Sequence, residues 1–450
     1  MTPSNARRQI IAVSMAMAFI LYLDRICLAE IVKAASFHDD VALSKEQIGR
    51  VLGIFFFSYA LFQVPAGWVS DRFGARPMLT AYIVLWSLFT ALTGMVSSFP
   101  ALVAMRLLCG AAEAGAYPTT NALIRRWLPL AGRARASSLV TFGGRLGGTL
   151  APFLTSWMVV SLGHWRPVLW IDGGVGLLVA ALYWRTVRNR PADHPGCNDA
   201  ERAQIGTPPV EPPLPNREIG RVLASFCRSR SLWFNALMQF LINIGWAFLI
   251  TWLPTYLKEA RHVEAVAGGR MVTLVLACGM CGQIVGGLVG DWSVRRFGLK
   301  WGRRLPLCAS GTLAGAAYIG CLFAGTTWGV VGFCGMVSFA VDLGTPAIWA
   351  FLQDIGGRVT AAAAGWANMW GNFGATLTSL MVPWLLTVGT TSEDGQRYVF
   401  LACAGALFLS AVVALGLNGA KPAWSPRDAV APPPPNAGVT PSSNLGTPCN

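Results

Sequence analysis

The ten residues Gly67-Trp68-Val69-Ser70-Asp71-Arg72-Phe73-Gly74-Ala75-Arg76 decide the fold of this chain. A weaker copy occurs in the second half, as Gly287-Leu288-Val289-Gly290-Asp291 and then Arg295-Arg296-Phe297-Gly298. Each string follows the second long apolar run of its half and leads into the third. Internal symmetry of this kind is typical of membrane proteins in which two helix bundles rock around a central site.

The composition around these strings is that of a membrane protein. Hydrophobic residues make up 54% of the 450 residues and charged residues 12%, and the mean hydropathy is +0.50. Apolar runs recur along the chain, and each is long enough to cross a hydrocarbon core of roughly 30 Å. We therefore predict an all-α membrane protein with twelve transmembrane helices. The predicted spans are 9–31, 48–70, 77–97, 100–123, 134–161, 166–186, 231–256, 268–292, 304–324, 327–353, 361–388 and 397–418.

A polar, proline-rich segment separates the sixth span from the seventh. Its sequence at 208–215 is Pro-Pro-Val-Glu-Pro-Pro-Leu-Pro, which favours an extended linker. We therefore predict two pseudo-symmetric six-helix bundles joined by a linker, with a polar tail at the end. The predicted parts are an N-terminal bundle at 1–186, a cytoplasmic linker loop at 187–230, a C-terminal bundle at 231–420 and a disordered cytoplasmic tail at 421–450.

Basic residues indicate how the chain lies in the membrane. The net charge is +14, and most Lys and Arg residues fall on the side of the N-terminus, for example in 185–230 and 295–304. The positive-inside rule places these segments and both termini in the cytoplasm. Because the basic residues are divided among short loops between spans, no nucleic-acid partner is expected. The expected surrounding is the lipid bilayer.

Three arginines lie in the interior of predicted spans, away from the span ends, namely Arg25, Arg106 and Arg145. A charged side chain costs about 2.5–3.5 kcal/mol at the centre of a membrane helix, so several at similar depth predict a polar cavity. Asp24 adjoins Arg25, and Glu113 follows Arg106 by two helical turns on the same face. Cations that bind an anion, beside carboxylates that can carry a proton, predict anion transport coupled to H⁺.

The string at 67–76, with twelve spans divided by a long loop, resembles the major facilitator superfamily. This resemblance implies that the string forms a cytoplasmic gate, in which an aspartate meets basic residues and glycines allow close helix contact. The C-terminal copy lacks the Asp-Arg pair, because Trp292 follows Asp291. Asp354 lies near the cytoplasmic end of its span and is also assigned to the gate. The expected gate residues are Gly67, Asp71, Arg72, Gly74, Arg76, Asp291 and Asp354.

A closer resemblance, over about residues 9–420, is to the anion:cation symporters, which include bacterial carriers of sugar acids. The residues that carry it are Tyr22-Leu23-Asp24-Arg25, Arg106, Glu113-Ala114-Gly115, Pro118, Arg190-Pro191, His194-Pro195-Gly196, Thr251-Trp252-Leu253-Pro254-Thr255-Tyr256-Leu257, Asp342, Trp349, Asp354-Ile355-Gly356-Gly357, Gly365, Asn368-Met369 and Gly371-Asn372. The resemblance implies that Arg25 contacts the carboxylate of the substrate and that Asp24 and Glu113 are protonatable.

The physical chemistry of a buried carboxyl group agrees with those roles. Burial favours the neutral acid, whereas a nearby arginine favours the charged form. A substrate anion that competes for the arginine would therefore favour protonation of the acid, which couples the two. Arg106 is expected to bind substrate as well. The alternative is that Arg25–Asp24 and Arg106–Glu113 are structural ion pairs needed for folding.

The remaining candidates lie at similar depth in both halves. Arg145 departs from the family pattern, and a third cation there suits a second carboxylate or a sugar acid bound bidentately; alternatively, it pairs with an acid and never contacts substrate. Asp342 is a candidate second proton site or an acceptor for substrate hydroxyl groups. Tyr22 is expected to line the substrate site. The amides expected to contact hydroxyl groups, with helix–helix contact as the alternative, are Asn243, Gln283, Asn368 and Asn372.

We therefore expect a secondary transporter that imports a small organic anion, a sugar acid such as a hexuronate, aldonate or aldarate, by H⁺ symport in a bacterial inner membrane. The alternatives are a facilitator or exchanger of organic anions and a nutrient sensor that does not transport. No catalytic or metal-binding set of residues is evident, and neither an enzyme nor a cofactor is expected. A proton gradient is the expected energy source, with Na⁺ as the open alternative. The resemblance implies a monomer.

Overall fold

The computed structural model describes residues 2–206, 215, 218–389 and 391–424, and within them the ordered elements are helices, with no strand. The helices that match the predicted spans are α1 (Ala6–Ile31), α2 (Lys45–Phe73), α3 (Ala75–Thr93), α4 (Phe99–Glu113 and Ala116–Trp127), α5 (Arg133–Leu162), α6 (Arg166–Thr186), α7 (Arg230–Glu259), α8 and α9 (the two parts of Ala265–Phe323, which divide at Gly298), α10 (Thr327–Gly356), α11 (Thr360–Val388) and α12 (Ser392–Ala414).

These helices accommodate the twelve predicted spans. In the part of the chain that the structure describes, nine helical segments are long and apolar enough to cross a membrane. Two of them, Val266–Phe323 and Thr327–Val388, are 58 and 62 residues long, and each contains two predicted spans. Helix α5 lies outside the nine. Most helix bounds differ from the predicted spans by a few residues, and α12 both begins and ends before its predicted bounds. In addition, α4 is interrupted after Glu113, and α7 has a π-helical turn at Phe248–Trp252.

The sequence repeat is also a repeat of backbone geometry. Gly74 joins α2 to α3 with a φ of 95°, and Gly298 joins α8 to α9 with a φ of 69°. Residues with a side chain rarely adopt a positive φ, so glycine permits the tight connection at both places. The repeat thus places the same turn after the second helix of each bundle. Gly74 and Gly298 lie on the side of the molecule that carries both ends of the described chain, called the terminal side below; the other side is called the far side.

Each bundle is held together by helices that approach closely at glycines. In the N-terminal bundle, α1 packs on α5, where Gly143 and Gly147 face the backbone oxygens of Met15 and Phe19. In the C-terminal bundle, α7 packs on α11, where Gly374 faces the backbone oxygen of Phe240. Small residues at such contacts are typical of membrane helices, since van der Waals packing holds these helices together.

The predicted linker loop contains helical structure. Asp199–Ile205 and Ile219–Arg228 are helices, and Glu201 accepts hydrogen bonds from the backbone N–H groups of Ala6 and Arg7 at the start of α1. This carboxylate satisfies N–H groups that have no partner within α1. The proline-rich run at 207–214 lies outside the described residues.

His194 anchors the first part of the linker. Its ring lies edge-on to Trp127, with 5.5 Å between the ring centres, and its Nδ1 accepts a hydrogen bond from the backbone N–H of Gly196. Burial lowers the pKa of His194 below its ordinary value. The neutral ring therefore suits this position.

The predicted tail needs a correction at its start. Ala423 donates its backbone N–H to the oxygen of Ile355 at 2.8 Å, and Trp424 is buried with Arg358 over its ring. Residues 421–424 therefore pack on the C-terminal bundle, because the indole finds an apolar surface there. The rest of the predicted tail, 425–450, lies outside the described residues.

On the far side, the short helix Ala35–Asp40 packs on the beginning of α6. Arg166 donates from Nε to Oδ2 of Asp40 at 2.8 Å, and Trp165 donates to the same oxygen at 3.1 Å. The hydrogen bond from Arg166 lowers the pKa of Asp40 below its ordinary value. This contact closes the far end of the N-terminal bundle around Phe37 and Trp165.

Candidate functional site

The centre of the molecule contains an ion pair between α1 and α4. Arg25 donates from Nη2 and Nε to Oε2 of Glu113, at 2.8 and 3.1 Å. The side chain of Arg25 is 11% exposed, whereas that of Glu113 is fully buried. The sequence alternatives were Arg25–Asp24 and Arg106–Glu113 pairs, and the structure instead joins one member of each. The result is a cation that a ligand can reach, holding an acid that a ligand cannot reach.

Aromatic rings surround the guanidinium group of Arg25. Its Cζ lies 4.4 Å from the ring centre of Tyr59, 5.0 Å from that of Tyr22 and 5.3 Å from that of Phe55. Such contacts stabilise a cation while leaving its N–H groups free to donate. Tyr22 was expected here. Tyr59 and Phe55 were not, because they lie on α2 in an apolar sequence that gives no polar signal.

Asp24 and Arg106 form a buried cluster beside this pair, inside the N-terminal bundle, and Glu113 interacts electrostatically with both. Asp24 is 1% exposed, and neither of its carboxylate oxygens has a hydrogen-bond partner among the described residues. Arg106 and Asp172 lie close enough to Asp24 to interact with it electrostatically. Arg106 is 4% exposed and lies 4.4 Å from the ring centre of Phe55. The protein covers the side chain of Arg106 in this conformation, and its contact with substrate stays a prediction.

A second ion pair connects the two bundles. Arg145 on α5 donates from Nη2 to Oδ1 of Asp342 on α10 at 2.6 Å, and its Cζ lies 4.4 Å from the ring centre of Trp246 on α7. Arg145 is 21% exposed and Asp342 is 2% exposed. Of the two sequence interpretations of Arg145, the structure contains the pairing with an acid, and its exposure leaves ligand contact open as well.

The amides of the C-terminal bundle divide into two groups. Asn243, Asn368 and Asn372 are partly exposed, and Asn368 lies 3.4 Å from the hydroxyl of Tyr59 across the bundle interface. These three can face a ligand. Gln283 cannot, because it is fully buried and donates to Thr141 of α5. The amide of Gln283 joins α8 to α5 in this conformation, and its expected contact with hydroxyl groups stays a prediction.

On the terminal side, the repeat aspartates bind the opposite bundle in matching ways. Asp71 accepts from the backbone N–H groups of Ala361 and Ala362 at the start of α11, at 3.0 and 2.8 Å. Asp291 accepts from the backbone N–H of Ala134 at the start of α5, at 3.1 Å, and from Nε of Arg135 at 2.8 Å. A carboxylate at a helix N-terminus is favoured by the unpaired N–H groups and the helix dipole. In the C-terminal copy, where Trp292 follows Asp291 in place of an arginine, Arg135 of α5 provides the arginine partner of Asp291.

The other expected gate residues have different surroundings. Asp354 on α10 accepts from Nη1 of Arg133 at 2.7 Å and from Nε of Arg303 at 2.8 Å, so it joins both bundles. Arg76 instead donates to the backbone oxygen of Trp184 and lies over its ring, which fixes α3 to α6. Arg72 lies over the ring of its neighbour Phe73. Neither Arg72 nor Arg76 contacts the opposite bundle through these interactions.

Several residues of the interface were missed from sequence. Gln353 donates to Asn121 and Ser137 at 2.7 and 2.9 Å, and Tyr117 stacks on Trp349 with 5.9 Å between ring centres. Arginines in short loops, such as Arg133, were used only to predict the orientation of the chain in the membrane. The sequence analysis named no basic partner for Asp354, and an acidic residue near the end of a span was a signal that one was needed. Across the described ranges, no group of three His, Cys, Asp or Glu side chains is arranged to hold a metal ion.

Comparison with known proteins gives consistent findings. The family model described as Major Facilitator Superfamily matches residues 14–379. The chain is 27% identical over 416 residues to the probable galactarate/D-glucarate transporter GudP of Escherichia coli (strain K12), covering 88% of this chain and 90% of that protein. It is 29% identical over 421 residues to the probable sulfoacetate transporter SauU of Cupriavidus necator, covering 92% and 94%. The crystal structure of the transporter FucP in the outward conformation superposes with a TM-score of 0.68 at 15% identity, covering 90% and 98%.

Proposed function

Because the chain belongs to the Major Facilitator Superfamily, a family of transporters and not of enzymes, we propose that it imports a sugar acid together with protons. The fold is the two-bundle fold predicted from the sequence. The terminal side is the cytoplasmic side in this proposal, because it carries most of the basic residues. The membrane is a bacterial inner membrane, the substrate is a small organic anion, and the energy source is the proton gradient.

The observation that carries the proposal is the pair of Arg25 with Glu113. A substrate carboxylate that binds Arg25 competes with Glu113 for the same N–H groups. Glu113 then loses its hydrogen-bonded counter-ion while fully buried, where a charge without such a partner is costly even with Arg106 nearby. A proton from the far side neutralises it. Substrate and proton thus favour each other's binding, which is the requirement for symport.

The contacts between the bundles support alternating access. Asp71, Asp291 and Asp354 join the bundles on the terminal side, and the pair of Arg145 with Asp342 joins them near the centre. We propose that this conformation faces outward, ready for substrate from the far side. Loss of the terminal-side contacts would then open the path to the cytoplasm.

The neutral polar groups and the relatives support a sugar acid. Tyr22, Asn243, Asn368 and Asn372 are partly exposed near the two ion pairs, and amides both donate to and accept from hydroxyl groups. Galactarate and D-glucarate, named for one relative, are polyhydroxy acids. Arginines bind the acidic end and amides bind the hydroxyl groups in this proposal.

The test is uptake of sugar acids into proteoliposomes with an imposed inward proton gradient. We expect wild-type protein to accumulate the acid only with the gradient, whether Na⁺ or choline is present. Glu113→Gln mimics the protonated acid, so it is expected to exchange substrate across the membrane but to lose accumulation. Arg25→Ala is expected to lose both. Glu46→Gln is the matched control, because this exposed glutamate on α2 lies outside the site.

Other outcomes would identify the alternatives. Uptake that ignores the gradient, or a Glu113→Gln variant that still concentrates substrate, would indicate a facilitator or exchanger in which Glu113 is structural. Binding without any uptake or exchange would indicate a sensor.

A further inference from the structure

The second ion pair is built like the first. In the pair of Arg145 with Asp342, as in the pair of Arg25 with Glu113, a partly exposed guanidinium holds a buried carboxylate. The two pairs differ in position, because the first lies within the N-terminal bundle and the second joins α5 to α10 across the interface. A ligand can therefore reach a cation at two places, and each cation holds its own acid.

The two cations share one neighbour. The Cζ of Arg25 lies 5.0 Å from the ring centre of Tyr22. The phenol of Tyr22 is also close enough to Arg145 to interact with it electrostatically. Tyr22 therefore lies close to both guanidinium groups. An anion with two acidic groups can bind one cation with each group.

Two aromatic side chains cover the end of the site near Arg145. Trp246 lies under Arg145, and Trp349 stacks on Tyr117, whose hydroxyl points toward Gly144. The indole Nε1 atoms of Trp246 and Trp349 are buried, so they do not contact a ligand in this conformation.

On the basis of the proposed function, we propose that the substrate is a dianion, such as a six-carbon dicarboxylate, and that Asp342 accepts a second proton. One substrate carboxylate replaces Glu113 on Arg25, and the other replaces Asp342 on Arg145. Each released carboxylate binds one H⁺. The dianion and two protons then cross together without net charge.

Few titratable groups face the pair of Arg145 with Asp342. Arg145 faces Asp342 from α5, and the phenols of Tyr22 and Tyr117 face Arg145 from α1 and α4. A monoanion on Arg25 would leave the pair of Arg145 with Asp342 closed between the bundles, whereas a dianion opens it. Galactarate, D-glucarate and sulfoacetate, which are named for two relatives, each carry two acidic groups.

The experiment compares D-glucarate with D-gluconate, which has the same length and one acidic group, in proteoliposomes of the full chain. At zero membrane potential, we expect D-glucarate to accumulate about 100-fold per pH unit, because each coupled proton contributes about ten-fold. D-Gluconate is expected to enter at least about ten-fold more slowly. Accumulation of D-glucarate of about ten-fold per pH unit means one proton and would overturn the inference.

Two variants assign the second proton. Asp342→Asn leaves Arg145 free to bind D-glucarate but removes the acid, so accumulation should fall to about ten-fold per pH unit. Arg145→Gln with Asp342→Asn keeps a neutral hydrogen-bonding pair, and it should shift the preference by at least about ten-fold from D-glucarate toward D-gluconate. Glu46→Gln with Arg50→Gln removes an exposed ion pair on α2 and should change neither value.

The outcomes separate this inference from the proposed function. If the double variant keeps both the D-glucarate preference and two protons, the inference is wrong, while symport through Arg25 and Glu113 stands. If the uptake of both acids ignores the proton gradient, or if neither acid enters, the proposed function fails and this inference fails with it.

Discussion

At the scale of single residues, neighbours in the sequence have unrelated surroundings. Asp24 and Arg25 are adjacent, but successive residues of an α-helix point about 100° apart. Arg25 therefore reaches the central site, whereas Asp24 points into the N-terminal bundle near Arg106 and Asp172. Asp24 can influence a substrate only through other residues in this conformation, and its role in proton transfer stays a prediction.

The substitution Asp24→Asn tests the role of Asp24 in proton transfer. Asp24→Asn has nearly the shape of the protonated acid, so the fold should persist. If Asp24 passes a proton to Glu113, with which it interacts electrostatically, Asp24→Asn loses one of the two coupled protons, and accumulation driven by the proton gradient should fall about ten-fold per pH unit. Exchange of substrate without a gradient should continue. Both are measured by uptake into proteoliposomes.

Asp172→Asn is the matched control for this prediction. It changes a carboxyl group of the same buried cluster, on α6, that the proposed mechanism does not use. Accumulation should remain at the wild-type level. Full accumulation by Asp24→Asn, or equal losses in both variants, would contradict a specific role for Asp24.

At the scale of helices, transport depends on how closely α2 approaches α11. A Cβ added to Gly67 would lie 2.5 Å from the backbone oxygen of Ala361 and 2.8 Å from the Cα of Ala362. Backbone atoms cannot yield as a flexible side chain can. We expect Gly67→Ala to prevent the terminal side from closing and to reduce uptake at least about ten-fold, since overpacking costs about 1–3 kcal/mol.

Gly53 provides the control on the same helix, because a Cβ added there meets nothing within 4 Å. Gly53→Ala should keep uptake and raise the thermal stability slightly, since alanine favours a helix over glycine by about 1 kcal/mol. Wild-type uptake by Gly67→Ala would show that the close approach is not required for transport.

At the scale of the whole molecule, the contacts of Asp354 favour one orientation of the bundles. This buried carboxylate binds Arg133 and Arg303 at once, and Arg133 belongs to the opposite bundle. Removal of one partner from a buried ion pair costs about 3–5 kcal/mol. We therefore expect Asp354→Asn to open the terminal side.

A cysteine at the partly exposed Asn372 reports the opening. The protein would carry Asn372→Cys with Cys227, Cys281 and Cys449 replaced by serine, and a thiol reagent that cannot cross membranes would be added from either side. Wild-type protein should react faster from the far side. In the Asp354→Asn variant, the cysteine at position 372 should react from the terminal side at least about ten-fold faster than in the protein that keeps Asp354, because the ion pairs that hold this side closed are lost.

Asp199→Asn is the control, since its pair with Arg202 is exposed and lies in the linker. It should leave labelling unchanged. Equal labelling of Asp354→Asn and wild type from the terminal side would contradict the assignment of Asp354 to the closed state.

The sequence by itself determined the class of protein, the twelve spans, the division into two bundles and the family. It also identified both members of each central ion pair, namely Arg25, Glu113, Arg145 and Asp342, as candidates. These features are local, because hydropathy depends on the residues of one span and the cost of a buried charge depends on its depth. The repeated glycines at the α2–α3 and α8–α9 turns were evident for the same reason.

Only the tertiary structure decided which partner each charge has. Arg25 pairs with Glu113 and not with adjacent Asp24, Arg145 pairs across the interface, and Gln283 is covered by the opposite bundle. Each of these facts depends on the rotation of a helix about its axis and on its neighbour in the other bundle. Hydropathy does not specify that rotation when spans are apolar on most faces, so the contacts that form the site exist only after the two bundles have packed.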